Sequence, residues 1–283
     1  MGTLYLVATP LGNLEDITLR ALRILREVAL VACEDTRHTS KLLTHYGITT
    51  PRRSYHEFNE ESRVPQLLQL LRDGRDIALV SDAGTPLISD PGFEIVSACR
   101  REGIPVVPIP GASAAITALV GSGLPSDSFY FAGFLPSRAA ARRSRLKELA
   151  TIPTTLILYE APHRLIDSLE DMAAILGERR VALARELTKI HEEFLCGTIS
   201  EILDVLRARP EIRGEITLVM EKGEPALPVP DYPKSLSEHL HAELEKSGQT
   251  RNEALKTVAR QRGLSRREAY RLLEEELAEQ SPS

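Results

Sequence analysis

The sequence predicts an α/β protein made of two successive units of sheet and helix, a proline-rich linker and a small helical appendage. Three observations carry this. Short, nearly continuous apolar runs ending in Gly, Pro or acidic residues alternate with segments in which leucines recur every three or four residues. That alternation occurs twice, which implies two layered α/β cores. The stretch 223–233 (GEPALPVPDYP) then places four prolines in eleven residues, and beyond it the pattern is purely helical.

In the first unit, residues 1–122, the runs 3–9 (TLYLVAT), 29–35 (ALVACED), 76–82 (DIALVSD) and 105–111 (PVVPIPG) read as strands buried on both faces. Amphipathic helices are expected at 14–27, 37–46, 60–72 and 91–102. Strand, helix, strand in this order implies a parallel sheet with crossovers. The second unit, 123–224, follows the turn-forming stretch 121–127 (GSGLPSD), with strands at 129–134, 154–160, 181–187 and 215–221 and helices at 137–150, 163–176 and 200–208. Residues 225–234 form the stiff linker. The appendage, 235–283, holds three helical stretches broken at Ser247-Gly248 and Gly263-Leu264-Ser265, and Ser265 followed by Glu268 is a capping-box signal. Its pattern resembles a helix-turn-helix.

A chain of 283 residues is long enough for two cores. Its 42% apolar and 27% charged residues are those of an ordinary water-soluble protein. A net charge of −5 excludes a surface that is basic throughout, so a nucleic-acid partner would be held by local patches. Cys33, Cys99 and Cys196 are isolated, without zinc spacing, which points to packing roles in a reducing compartment. Residues 1–13 lack the basic start and small-residue end of a secretion signal, and no apolar run reaches bilayer length; the expected location is cytoplasmic.

Ligands of parallel α/β sheets bind beyond the carboxyl ends of the strands, so the turns there carry the functional reading. The first, Thr9-Pro10-Leu11-Gly12-Asn13, is neither a Walker loop nor GxGxxG, which removes the best support for ATP or dinucleotide binding. The third strand ends in Ser81-Asp82-Ala83-Gly84-Thr85-Pro86, where small residues admit a ligand to the backbone and Asp82 offers an acceptor. Ser89 and Asp90 suit the cap of the next helix. Pro110-Gly111-Ala112-Ser113-Ala114-Ala115 opens a helix with small side chains, fit either for an adenosyl group or for close strand–helix packing.

Eight ordered blocks, VATPLGNLEDIT, ACEDTRHTSKLL, SDAGTPLISDPG, PGASAAITAL, FLPSR, YEAPHR, RELTKIHEEF and GEITLV, resemble the ribosomal RNA small-subunit methyltransferase I family across residues 3–222. That resemblance implies the two-domain tetrapyrrole-methylase-like (class III methyltransferase) fold, with S-adenosylmethionine bound between the two α/β domains. It places Pro10, Ser81, Asp82, Ala83, Gly84, Ser113 and Ala114 on one wall of the cofactor site. Tyr159, Glu160, Arg185, Glu186, Gly214, Glu215 and Ile216 would form the other. It also implies transfer to a cytidine 2′-hydroxyl of 16S ribosomal RNA at the decoding centre, in the assembled small subunit, by a homodimer.

A neutral 2′-hydroxyl is a poor nucleophile, so a nearby base would help. Glu34, Asp35, His56 and His163 are the candidates, each beside a polar or cationic neighbour. The ordinary readings, helix capping for the acids and a hydrogen-bonded loop position for the histidines, remain open. For RNA phosphates the basic candidates are Arg37, then Arg138, Arg142 and Arg143 on one helix, and Arg251, Arg260, Arg262, Arg266 and Arg267 in the appendage. Seven Arg or Lys stand against two Glu between Arg251 and Arg271. The alternatives are a tetrapyrrole or other small-molecule methylase of the same fold, and a non-catalytic RNA-binding regulator. No metal is expected.

Overall fold

A strand buried on both faces must satisfy every backbone N–H and C=O within the sheet, and the apolar runs do so with one another. In the computed structural model, which describes residues 1–223, 235–248, 250–262 and 264–279, β1 (Leu4–Val7), β2 (Leu30–Cys33), β3 (Arg52–Ser54), β4 (Ile77–Val80) and β5 (Val106–Ile109) form one sheet. Its order is β3-β2-β4-β1-β5 and every pair is parallel, as expected. The crossovers are α1 (Leu19–Glu27), α2 (Thr36–His45), α3 (Glu60–Arg72) and α4 (Phe93–Arg101).

Side chains alternate across the sheet. Val7, Val31, Cys33, Ala78 and Val80 pack under α1 and α2, whereas Leu4, Leu30, Ala32, Ile77 and Leu79 pack under α3 and α4. From the adjacent central strands the chain leaves in opposite directions, β1 toward β2 and β4 toward β5. A crevice therefore opens at their carboxyl ends. Pro108 is tolerated because β5 is an edge.

The next elements are α5 (Ala114–Gly121), β6 (Phe129–Phe134), α6 (Ala139–Leu149), β7 (Thr155–Glu160), α7 (Leu165–Leu176), β8 (Arg180–Arg185), β9 (Glu193–Thr198), α8 (Ile199–Arg207) and β10 (Ile216–Met220). The second sheet has the order β6-β7-β10-β8-β9, and only β6 and β7 run parallel. Helices α6 to α8 cover one face around Leu146, Leu169, Leu203 and Leu218. The other face receives α5, whose Ala115, Ala118 and Leu119 lie on Ile157, Ala182, Ala184 and Val219. Small side chains let this helix approach closely, and residues 1–223 form one compact unit holding both sheets.

Two expected phosphate contacts are corrected by burial and bonding. Arg142 is only 5% exposed, and its Nε donates to Asp171 Oδ2 at 2.7 Å while Arg143 Nε donates to Oδ1 at 2.6 Å. Arg142 is thus a structural cation inside the fold. In the appendage α9 (Leu236–Ser247), α10 (Arg251–Gln261) and α11 (Arg266–Glu279) close on Leu240, Leu255, Val258 and Leu273. There the half-buried Arg262 donates to the Ser235 carbonyl at 2.7 Å, which ties two helices together. The Ser265–Glu268 capping box is present, whereas the linker 225–234 and Gly263 lie outside the described residues. Cys33 and Cys99 are buried as expected, but Cys196 is exposed on the edge strand β9.

Removing one partner of a buried ion pair leaves an uncompensated charge. Asp171→Ala is therefore expected to lower the unfolding free energy by about 3 kcal/mol in a denaturant titration. A loss below about 1 kcal/mol would show that Arg142 finds water instead.

Candidate functional site

Three turns at the carboxyl ends of the first sheet are locked together before any ligand arrives. Thr9 and Gly84 exchange backbone hydrogen bonds at 2.9 and 3.0 Å, which joins the turn after β1 to the turn after β4. Ser81 Oγ donates to the Gly84 carbonyl at 3.0 Å, and Thr85 Oγ1 donates to the Ala112 carbonyl at 2.9 Å, adding the turn after β5. Leu87 and Ser89 stand in the left-handed region at φ 72° and 65°, conformations that non-glycine residues adopt at a cost of about 1–3 kcal/mol.

Beyond these turns lies a cavity of about 400 Å³, closed on its far side by the second sheet. It brings together Asp82, Ala83, Gly84, Ser113 and Ala114 with Tyr159, Glu160, Gly214, Glu215 and Ile216, ten of the residues expected from sequence. Pro10, Ser81, Arg185 and Glu186 do not line it. Pro10 and Ser81 are buried behind the turns, and Arg185 Nε donates to Glu193 Oε2 at 2.9 Å. Leu11 and Thr85 of the same turns also line it, as do Ser89 and Asp90, expected as helix caps, and Phe134. Ser89 and Asp90 do not cap α4, whose N-cap is Gly92.

Four acidic residues, Asp82, Asp90, Glu160 and Glu215, line this cavity, the Glu160 carboxylate lying wholly buried behind its surface, and among the described residues no Lys, Arg or His lines it. Glu160 is buried; its Oε1 accepts from the Ala161 N–H at 2.8 Å and from Arg164 Nε. Its Oε2 has no partner. Burial, reinforced by Glu34 and Asp82, pushes the Asp90 carboxyl up to about 6. Glu34 is also pushed up, by burial and by Asp82. Tyr159 rests its ring edge-on to Phe131 and Phe134, and burial raises its hydroxyl.

A strap from the second sheet completes the wall. The Asn13 N–H donates to Thr188 Oγ1 at 3.1 Å, and the aliphatic stem of Lys189 crosses Gly12 so closely that a Cβ there would fall 2.2 Å from its Cγ. Lys189 Nζ then reaches Glu186 Oε1 at 2.8 Å and Glu215 Oε2 at 3.3 Å. Glu186, in turn, accepts from the Glu215 N–H at 2.9 Å.

The candidate bases separate. Glu34 and His56 lie near one another behind Asp82 and Asp90, and neither lines the cavity. His56 Nε2 is 3.0 Å from Asn59 Nδ2, and its Nδ1 is buried without a partner. Asp35 caps α2, and Arg37 grips its carboxylate, holding it well below the usual range. His163 borders a second depression, with Arg207, Arg209 and Arg213, that meets the cavity at Pro162 and Gly214. Arg138 and Arg143 on the α6 side, and Arg251, Arg260, Arg266 and Arg267 in the appendage, are exposed.

Residues 3–203 match the family model described as Tetrapyrrole (Corrin/Porphyrin) Methylases. The chain is 51% identical over 277 residues to ribosomal RNA small subunit methyltransferase I of Halalkalibacterium halodurans, covering 97% of this chain and 96% of that protein. It is 49% identical to the protein of the same name from Synechocystis sp., over 96% and 97% of the two chains. Among solved structures, uroporphyrin-III-C-methyltransferase from Thermus thermophilus superposes with a TM-score of 0.56 at 25% identity, over 78% of this chain and 95% of that one. A cobalt precorrin-4 methyltransferase, at 17% identity and a TM-score of 0.59 over 77% and 94%, shares the fold.

Gly214 has φ +95°, and a Cβ there would lie 2.4 Å from Glu186 Cγ. Gly214→Ala should displace the Glu186–Lys189 strap and cost about 2 kcal/mol of stability by chemical denaturation. An unchanged midpoint would mean that the strap yields freely.

Proposed function

Because this chain belongs to the ribosomal RNA small subunit methyltransferase I family, a branch of the tetrapyrrole methylases, we propose that it methylates the ribose 2′-hydroxyl of a cytidine in 16S ribosomal RNA. S-adenosylmethionine is the methyl donor. The observation that carries the reading is the cavity lined by four acidic residues and, among the described residues, by no basic one.

That lining suits this cofactor and opposes the common anionic ones. A sulfonium and an ammonium group are both positive, so acidic walls favour them, whereas a nucleoside phosphate would be repelled. About 400 Å³ lies within the range of small-molecule sites. Ala83, Gly84 and Ala114 leave the backbone accessible to a flat nucleoside, and Asp82 and Asp90 supply acceptors for a hydroxyl or ammonium donor. When bound, S-adenosylmethionine supplies a methyl group already activated by its positive sulfur. The residues then have to align the acceptor oxygen and exclude water.

The exposed arginines of α6 and of the appendage, Arg138, Arg143, Arg251, Arg260, Arg266 and Arg267, would take the phosphates, a role that a tetrapyrrole substrate would not need. The expected homodimer has support in exposed apolar side chains, Phe129, Tyr130 and Phe134 on the edge strand β6 and Ile116 and Val120 on α5. The reading places the enzyme in the cytoplasm, and no helix among the described residues is long and apolar enough to cross a membrane.

Incubating the protein with methyl-labelled cofactor and small subunits that lack the modification tests the reading. Label in an alkali-resistant dinucleotide of 16S RNA supports it; label on a base, or none in RNA, rejects it. Glu160→Gln keeps one acceptor for the Ala161 N–H but turns the unpaired oxygen into a donor. Calorimetry should show cofactor affinity weakened about tenfold or more, and an unchanged Kd would remove Glu160 from the site. Residues 1–223 form their own compact unit, so that fragment should bind cofactor with unchanged affinity. Its affinity for the small subunit should fall and depend less steeply on salt; an equal salt slope would leave the appendage without an RNA role.

A further inference from the structure

We infer that Phe58 is a stacking platform for an unpaired nucleobase of the RNA that carries the target ribose. The inference rests on the RNA substrate proposed above and assigns a contact to a base, whereas the arginines already named account only for phosphates.

Phe58 is 93% exposed, although an aromatic side chain gains more from burial than most others. It belongs to the turn that joins β3 to α3, at the carboxyl end of the first sheet. Cys33 of β2 and Ser54 of β3 are paired in register, and the Tyr55 N–H donates to the Cys33 carbonyl at 2.8 Å. Residues 34–37 and 55–58 therefore leave the sheet side by side. Glu34 lies between this turn and the cavity, acted on by Asp82 of the cavity wall and by His56 and Glu57. Glu60 Oε1 accepts the Gly92 N–H at 2.9 Å and the Tyr55 hydroxyl at 2.7 Å. Those bonds tie the turn to the segment that carries Ser89 and Asp90 into the cavity wall. Phe58 thus stands beside the cavity.

The ring is presented by a fixed backbone. Asn59 Oδ1 accepts the His56 N–H at 2.9 Å, the Asn59 N–H donates to the His56 carbonyl at 2.9 Å, and Asn59 Nδ2 donates to the Ser54 carbonyl at 3.4 Å. A side chain held this way loses little freedom when it binds. It also has apolar company: Ile88, on the cavity wall, and Phe93, the residue after Gly92, are both exposed.

Charge selects the occupant. Glu57 and Glu61 flank Phe58 and are exposed, so a phosphate is repelled there while an uncharged ring is not. Arg37, at the neighbouring strand end, is exposed, and its pair with Asp35 is one that solvent screens. Arg37 is placed to take a phosphate of the strand whose base lies on Phe58. An aromatic face with a cation beside it holds single-stranded nucleic acid largely irrespective of sequence. Only a base outside a duplex can offer its face, so the nucleotide on Phe58 is unpaired.

The test uses the full chain, small subunits that lack the modification and methyl-labelled cofactor at saturation in single turnovers. Phe58→Ala should raise the half-saturating subunit concentration about tenfold or more. The rate at saturating subunits and the cofactor Kd by calorimetry should stay within about threefold of wild type. Phe58→Trp, which keeps an aromatic face, should restore subunit affinity. Phe58→Leu, which keeps apolar bulk without that face, should behave as Phe58→Ala does. The denaturation midpoint and the sedimentation coefficient of every variant should match wild type, because an exposed side chain carries little of the fold. The proposal is overturned if Phe58→Ala keeps wild-type subunit affinity, if Phe58→Leu restores it, or if cofactor affinity or the midpoint falls in parallel. A changed sedimentation coefficient would overturn it as well, by assigning Phe58 to a protein interface. Label in 16S RNA from wild type combined with any of these removes the base contact and leaves the RNA substrate standing. No label in RNA from wild type overturns both.

Discussion

Four carboxylates around one cavity repel one another, and the rest of the site is arranged around that repulsion. Two of the four are compensated from behind the wall, Glu160 by Arg164 and Glu215 by Lys189, so that cations stabilise the fold without entering the cavity. The other two, Asp82 and Asp90, share their corner with Glu34 and receive no such relief. Burial, with the neighbouring negative charges adding to it, raises the carboxyl groups of Asp90 and Glu34. A cationic ligand relieves this repulsion, whereas a neutral or anionic one does not. Selection for a sulfonium donor over its uncharged thioether product follows from the same charges.

Keeping such a wall intact requires rigid backbone, and the fold supplies it from both sheets. The Thr9–Gly84 pairing, the Ser81 hydroxyl and the Thr85–Ala112 bond hold the first wall, while Thr188 and Lys189 draw the second sheet's β8–β9 connection onto the turn after β1. The strained residues concentrate in these connections: Leu87 and Ser89 in one, Glu186 and Thr188 in the other. Buried small-residue contacts along α5 hold the sheets together strongly enough for that strain to persist.

Much of this was legible in the sequence because it depends on local pattern. The four long apolar runs of the first unit became β1, β2, β4 and β5 in a parallel sheet, since two-sided burial demands uninterrupted Val, Ile, Leu and Ala. The strands missed were β3 and β9, both sheet edges with half-exposed faces, where neither a continuous apolar run nor clean alternation is required. Missing β9 also concealed the hairpin that makes the second sheet largely antiparallel. Basic residues were harder still. Arg142 and Arg143 are neighbours in the same run of charge, yet one is buried on Asp171 and the other is mostly exposed, a difference set by a helix 28 or 29 residues further on.

The site divides along the same line. Motif residues at strand ends, such as Asp82, Ser113, Glu160 and Gly214, could be placed on the cavity from sequence because topology puts strand ends there. Asp90 could not, because nothing in Ser89-Asp90-Pro91-Gly92 distinguishes a helix cap from a carboxylate turned into a cavity; that depends on α4 beginning after Gly92. On the proposed function, this arrangement also explains how an acidic slot serves a polyanionic substrate. Phosphates are repelled from the carboxylate wall and attracted to exposed arginines outside it, with screening lengths of about 8 Å at physiological salt. A nucleotide approaching such a surface lowers its energy by leaving its backbone outside and turning its uncharged sugar edge inward. The charge pattern thus presents a hydroxyl, rather than a phosphate oxygen, to the cavity.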